Sequence, residues 1–270
     1  MTGGAGVRPA SGTRRDRLAG GAGAPVLVIY LTLGDPLTAR DCELAVALAG
    51  AGADVLEVGI PTPSTRARGV VVAESFRRAS GWTPARAFAL LGELRQALPE
   101  VPLVPLVYPQ TVADLGRDRL LAWSAEAGAD ALVLTAPAGA GEVEDVVSAG
   151  LCAIPVLRPQ AEEREFALEA AADRLTYRTL GAVTGDELDP DLVGKLAEEF
   201  TARAAKPFWA GFGLRDEAQV AAVAPHAAGV VVGSELHRIL ERTPPADRVR
   251  EARAAVARWR AAAAGAPAAG

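Results

Sequence analysis

Short apolar runs alternate with longer amphipathic stretches along most of the chain. The apolar runs are rich in β-branched residues and lack a clean alternation of apolar and polar positions, which is typical of parallel strands covered by helices. We assign eight strands, at residues 26–33, 55–58, 103–107, 131–134, 153–157, 174–179, 208–211 and 229–232. A helical pattern follows each strand. Eight βα units in about 250 residues favour a closed barrel over an open sheet.

The predicted fold class is therefore α/β, a single-domain (β/α)8 TIM barrel over residues 25–264. Residues 1–24 are rich in Gly, Ala and Arg and contain no sustained apolar segment, so no signal peptide is expected there. We predict a disordered N-terminal tail over 1–24, with a short helix near 13–18, and a loose C-terminal tail over 265–270.

The composition of the chain excludes several classes of protein. Half of the residues are hydrophobic but only 5% are aromatic, so Ala, Val and Leu supply most of the core. The net charge is −5 with both signs interleaved, which argues against nucleic acid or a membrane as a partner. No apolar run is long enough to span a membrane, and both cysteines lie in apolar runs as expected for free thiols, so we predict a cytoplasmic protein. Neither histidine has companions at metal-ligand spacing, so we predict no metal and no cofactor.

One carboxylate lies inside an apolar strand. Glu57 occurs in Leu56-Glu57-Val58-Gly59, at the end of the second strand. Burying a polar group without a hydrogen-bond partner costs on the order of 2–7 kcal/mol, and burying an ionised, unpaired carboxylate costs more. Glu57 should therefore face the barrel mouth, where the functional residues of this fold lie. Burial there would raise its pKa and suit it to acid–base chemistry. The alternative is a structural Glu57 paired with a buried arginine or a main-chain amide.

Glycines mark the ends of the last strands. Gly213 follows strand seven, and Gly233 and Ser234 follow strand eight just before a short helix. Glycine lets main-chain N–H groups approach a phosphate, and a helix start adds a favourable dipole. Gly185, after strand six, is a further candidate amide. The alternative for each glycine is a tight turn without a ligand.

The three tyrosines of the chain all fall near the same predicted mouth. Tyr30, Tyr108 and Tyr177 each lie at or near the carboxyl end of a strand. Such rings could form the wall of a pocket for a planar ring or a polyol. The alternative is amphipathic packing at the rim of the barrel.

Several of these stretches, in this order, resemble the α subunit of tryptophan synthase. The resemblance covers most of the chain from Val26 to the last helix. It is carried by Thr32-Leu33-Gly34-Asp35-Pro36, by residues 51–61, by Val183-Thr184-Gly185, by Gly211-Phe212-Gly213 and by Gly233-Ser234.

The resemblance implies retro-aldol cleavage of indole-3-glycerol phosphate to indole and glyceraldehyde-3-phosphate. It makes Glu57 the acid–base residue that protonates indole C3. The residues that it implies for the phosphate are Gly185, Gly213, Gly233 and Ser234, and those for the rest of the substrate are Tyr30, Thr32, Tyr108, Tyr177 and Thr184. Tyr30 stands where the family usually has Phe. The resemblance also implies a β-like subunit as partner.

The chain departs from the family pattern in two loops. In our alignment the second catalytic acid of the family falls on Ser64, a poor base, and no Asp or Glu occurs between Glu57 and Glu74. Arg66 and Arg68 replace an apolar and an acidic position. After strand six, Leu180 replaces an arginine, although Arg178 is near.

Three functions stay open at this point. The first is a lyase on indole-3-glycerol phosphate or a close analogue, slowed by the lost acid. The second is a non-catalytic subunit that binds a phosphorylated ligand or docks on a β-like partner. The third is a relative with a different phosphorylated substrate, whose second acidic group would meet Arg66 and Arg68. A fold alone does not decide among them.

Overall fold

The computed structural model describes residues 12–20, 23–38, 41–67, 69–137, 139–158, 163–181 and 189–265. The strands in these ranges are β1 (Val26–Thr32), β2 (Val55–Gly59), β3 (Leu103–Val107), β4 (Ala131–Leu134), β5 (Cys152–Leu157), β6 (Thr176–Thr179), β7 (Phe208–Gly211) and β8 (Gly229–Val232). They close into a barrel in chain order, all pairs parallel, with β8 beside β1. The predicted (β/α)8 barrel is confirmed.

Helices cover the outside of the barrel. Within the described ranges they are α1 (Asp41–Gly50), α2 (Val70–Arg78), α3 (Pro84–Ala97), α4 (Pro109–Leu115), α5 (Arg117–Glu126), α6 (Ala140–Ser148), α7 (Glu163–Ala171), α8 (Pro190–Arg203), α9 (Glu217–Val223), α10 (Ser234–Arg242) and α11 (Arg248–Ala263). None of the described helices is both long and apolar enough to cross a membrane.

Strand side chains divide into two cores by alternation. One core fills the barrel interior, and the other lies between the barrel and the helices. The interior core includes Val28, Tyr30, Val55, Val104, Leu106, Val133, Ile154, Tyr177, Trp209 and Val231. Large aromatic rings fit in the barrel interior because glycines on neighbouring strands leave space for them. A Cβ at Gly229 would come 2.4 Å from the Trp209 ring, so this position excludes any side chain.

The N-terminal segment closes the barrel at the end opposite the strands' carboxyl ends. A 3-10 helix, Asp16–Ala19, places Leu18 in the interior core with no exposed surface. The indole N–H of Trp209 donates to the carbonyl oxygen of Leu18 at 2.8 Å. This helix lies close to the short helix that we expected near residues 13–18, and Leu18 packs it against the bottom of the barrel, whereas we expected the rest of the tail to be disordered.

Two helices lie between β3 and β4. The first, α4, starts at Pro109, and Gly116 with φ 76° separates it from α5. Proline at the first position of a helix costs no hydrogen bond, so Pro109 can begin α4.

Candidate active site

A pocket opens at the carboxyl ends of the strands. It encloses about 420 Å³ of empty space, which includes open solvent at its mouth. Its described lining residues are Tyr30, Glu57, Val72, Leu106, Tyr108, Tyr177, Phe212, Gly213, Leu214, Val231, Gly233 and Ser234. Seven of the residues that the sequence singled out are therefore brought together here: Tyr30, Glu57, Tyr108, Tyr177, Gly213, Gly233 and Ser234. The lining is mostly apolar and aromatic with a few polar groups, as is typical of ligand sites.

Glu57 is the only carboxylic acid among these lining residues. The strand register sets it beside Tyr30 of β1 and Val104 of β3, with its side chain facing the interior. The residue is 2% exposed, and its Oε1 has no hydrogen-bond partner in the described part of the chain. Burial raises the pKa of Glu57 to about 8. At neutral pH the group is therefore an uncharged acid that can donate a proton, and the described residues offer it no arginine.

Thr32 supports Tyr30 from behind the pocket wall. Tyr30 lines the pocket, and its hydroxyl lies 2.9 Å from Thr32 Oγ1. Thr32 is fully buried and is not among the lining residues, so the structure places it behind Tyr30. This geometry supports a ligand contact for Tyr30 and an indirect role for Thr32.

Tyr108 and Tyr177 form two other walls. Tyr108 packs edge-on against Phe76 with ring centroids 5.7 Å apart, and Tyr177 packs against Phe212 at 5.5 Å. Burial, and then the charge of Glu57, raise the pKa of both phenols. Both side chains therefore stay protonated and neutral beside the buried acid.

Gly213, Gly233 and Ser234 line the same pocket as Glu57, at the ends of β7 and β8. Gly213 adopts φ 116°, and Phe212 adopts φ 66°, a left-handed conformation that strains a residue with a side chain and is typical of ligand sites. Gly233 precedes α10, whose first residue is the buried Ser234. The first N–H groups of a helix lack partners within it, so they and the helix dipole favour an anion. The predicted Thr184 and Gly185 lie outside the described residues.

Ser64 is not among the described residues that line the pocket. Its main-chain N–H donates to a carboxylate oxygen of Asp114 in α4 at 3.1 Å, and its hydroxyl donates to the same carboxylate. The hydroxyl of Ser64 lowers the pKa of Asp114. Arg66 donates to the carbonyl oxygen of Thr65 at 2.9 Å, within its own loop, and Arg68 lies outside the described residues. The loop after β2 is thus tied to α4, which does not favour direct catalysis by Ser64.

Arg178 points away from the pocket. Its guanidinium lies 3.0 Å from Glu169 in α7, and both side chains are buried between the barrel and the helices. Leu180, at the position where the resemblance expects an arginine, is buried as well. Arg178 therefore does not replace the arginine missing at residue 180.

A buried ionic cluster that the sequence did not predict lies behind Tyr30. Asp35 accepts two hydrogen bonds from Arg78 of α2, at 2.8 and 2.7 Å, and one from the N–H of Leu37. Burial alone would raise the pKa of Asp35, but the hydrogen bonds from Arg78, His237 and the N–H of Leu37 together outweigh burial and lower the pKa to about 2. His237 has no exposed surface and lies 3.5 Å from Asp35.

Sequence comparison agrees with the geometry. A family profile described as Tryptophan synthase alpha chain matches residues 20–265. The chain is 34% identical to the tryptophan synthase alpha chain of Halorhodospira halophila, over 84% of this chain and 86% of the relative. It is also 34% identical to that of Burkholderia thailandensis, over 87% and 90% of the two chains. Within the described residues, no group of three or more His, Cys, Asp or Glu could hold a metal ion.

Solved structures show the same fold. Tryptophan synthase subunit alpha from Legionella pneumophila superposes with a TM-score of 0.79 at 24% identity, covering 94% of this chain and all of that one. A mutant alpha subunit from Pyrococcus furiosus superposes with a TM-score of 0.75 at 25% identity, covering 87% and 97%. With the profile and the curated relatives matching nearly the whole barrel, the chain belongs to the tryptophan synthase alpha chain family.

Proposed function

We propose that this protein is a lyase that cleaves indole-3-glycerol phosphate to indole and glyceraldehyde-3-phosphate. The observation that carries the proposal is the buried carboxylic acid of Glu57, whose pKa burial raises to about 8, in a pocket that is also lined by Gly213, Gly233 and Ser234. Family membership supports the same reaction, because the relatives are named tryptophan synthase alpha chain.

Glu57 would move one proton in each cycle. Its acid form donates a proton to C3 of the indole ring, and the positive charge is shared with the ring nitrogen. The bond between C3 and the first glycerol carbon then breaks, and its electron pair returns to the ring. The hydroxyl on that carbon becomes the aldehyde, and its proton restores the acid form of Glu57. A pKa of about 8 suits both halves of this exchange near neutral pH.

The phosphate would be held by main-chain amides. No lysine or arginine is among the described lining residues, so the start of α10 and the left-handed turn at Gly213 would supply the favourable field. A phosphate at that end leaves the indole ring between the aromatic walls, where Glu57 reaches it. Tyr108 and Tyr177 would then contact the ring or the glycerol chain.

Turnover should be slow for such a site. The loop after β2 carries no carboxylate between Glu57 and Glu74, so no acidic side chain of this loop assists at the ring nitrogen. Loss of one acid–base group lowers a rate by about 10²–10⁴-fold. We therefore expect measurable but reduced cleavage. Ser64 does not replace the missing acid as a base.

The test is release of indole from purified indole-3-glycerol phosphate. Glu57→Gln should lower the rate by about 10²-fold or more, because the amide cannot donate a proton. Glu74→Gln is the matched control, since this carboxylate lies on the outer side of α2 and pairs with Arg77. Equal rates for the protein and its Glu57→Gln variant would disprove the proposal.

We further propose a β-like subunit as partner. Val70, the first residue of α2, is 86% exposed beside the loop that follows β2. This side chain, at the pocket side of the barrel, is the position at which we test the proposed contact. Mixing the protein with a tryptophan synthase β subunit should give a complex in analytical ultracentrifugation, weakened by Val70→Asp. Two sedimentation peaks that match those of the separate proteins would rule the partner out.

A further inference from the structure

The pocket wall formed by Tyr30 contains a chain of buried hydroxyl groups. Tyr30 Oη lies 2.9 Å from Thr32 Oγ1, and Thr32 Oγ1 lies 2.6 Å from Ser75 Oγ in α2. Ser75 donates in turn to the carbonyl oxygen of Val72 at 2.7 Å. Thr32 and Ser75 have no exposed surface, so these groups must satisfy one another without solvent.

The order of donors along this chain has a single solution. Each hydroxyl has one proton to give. Ser75 gives its proton to a carbonyl oxygen, which can only accept, so Ser75 accepts from Thr32. Thr32 has then used its proton and accepts from Tyr30. The phenol of Tyr30 is therefore a committed donor to Thr32, and its oxygen can only accept from a ligand. Burial raises the pKa of Tyr30 well above its ordinary value, so the phenol keeps its proton.

The side chain of Tyr30 reaches from the end of β8 to the end of β2. A Cβ at Gly233 would come 3.0 Å from Tyr30 Cβ, and a Cβ at Gly59 would come 2.3 Å from Tyr30 Oη. The near end of the side chain thus lies at the predicted phosphate cradle. The hydroxyl lies at the far end, on the strand that carries Glu57, which is the register partner of Tyr30.

We propose that Tyr30 is a specificity-determining residue, whose oxygen accepts the hydrogen bond from the ring N–H of the substrate. This inference rests on the proposed function. With its phosphate at Gly233, the ligand would place its ring at the end where Tyr30 Oη lies. A buried N–H needs an acceptor, and leaving it without one costs more than the bond itself contributes. The proton stays on nitrogen throughout, and the acceptor stabilises the charge that develops there when C3 is protonated.

The other oxygen-bearing side chains of the lining fit this role less well. Glu57 is protonated and is needed at C3, and Ser234 lies at the cradle. Tyr108 and Tyr177 have no described hydrogen bond from their hydroxyl groups, so each is free to donate to a ligand oxygen instead. Tyr30 alone among the described lining tyrosines has its proton fixed elsewhere.

Two uncleavable probes test this role directly. One is 3-(indol-3-yl)propyl phosphate, which carries the N–H, and the other is its benzofuran counterpart, in which oxygen replaces N–H with little change of shape. Calorimetry measures the binding of both to the protein, to Tyr30→Phe and to Tyr177→Phe. Tyr30→Phe should weaken the indole probe about 3- to 10-fold and change the benzofuran probe less than twofold. Tyr177→Phe, which removes a hydroxyl from the same pocket, should change both by one factor.

A second variant leaves the phenol of Tyr30 in place and changes the direction in which it donates its proton. Thr32→Val keeps the shape of the side chain but removes the acceptor for Tyr30, whose proton can then turn toward the ligand. The preference for the indole probe should fall by about 3-fold or more. An equal effect of Tyr30→Phe on both probes, or an unchanged preference in Thr32→Val, would overturn the inference. If the unaltered protein binds neither probe and releases no indole, the proposed function itself fails.

Discussion

The buried acid of Glu57 should make the stability of the protein fall as pH rises. The pKa of this group is about 8 in the folded state and has an ordinary value of 4.5. Below pH 4.5 both folded and unfolded chains hold the proton. Between pH 4.5 and 8 the unfolded chain loses it while the folded chain keeps it, so the unfolded state is increasingly favoured. Above about pH 8 the folded chain ionises as well, and the loss levels off.

The expected size of this effect follows from the two pKa values. One pKa unit corresponds to about 1.4 kcal/mol, so the displacement from 4.5 to about 8 amounts to about 5 kcal/mol at most. Water that enters the pocket to solvate the carboxylate lowers this figure. We expect the free energy of unfolding to fall by about 2–5 kcal/mol between pH 4 and pH 9 relative to Glu57→Gln, whose amide does not ionise.

Urea unfolding followed by circular dichroism measures this difference. The protein and Glu57→Gln are compared at each pH from 4 to 9, so that all other titrating groups cancel. Glu199→Gln, on the exposed side of α8, is the control and should run parallel to the unaltered protein. A difference between the protein and Glu57→Gln that stays constant with pH would refute the reasoning, because it would mean that Glu57 has the same pKa in both states.

Three further substitutions test the packing that shapes the pocket, all read by urea unfolding. Gly211→Ala should destabilise by about 1–3 kcal/mol, because its Cβ would come 2.3 Å from the hydroxyl of Tyr177, while Gly92→Ala, with open space in α3, should be neutral or stabilising. Arg78→Met should cost about 3–5 kcal/mol by stranding Asp35, and Asp35→Asn in the same chain should recover part of it; independent, additive losses would contradict the pairing. Leu18→Ala should cost about 2–5 kcal/mol, whereas no loss would mean that the N-terminal segment is a tail.

The barrel could be predicted from the sequence because its signals are local. Apolar runs bounded by glycine and helical patterns sit at fixed intervals, and the alternation of strand side chains places Glu57 inside. The same logic located the glycines at the mouth, since the carboxyl ends of parallel strands meet at one face. The start of α4 is ambiguous in the sequence, because Pro109 can end a helix as well as begin one.

The contacts that tune the site could not be predicted in this way, since they join residues far apart in the chain. Asp35, which follows β1, meets Arg78 of α2, and Ser64, in the loop after β2, meets Asp114 of α4. The periodicity of the sequence does not predict such partners, because their contacts depend on how the helices pack against the barrel. The pKa of Glu57 could not be predicted from the sequence either. A carboxylate in an apolar strand could be a paired structural residue or a proton donor, and only the absence of a cation from the described surroundings of this one favours the donor.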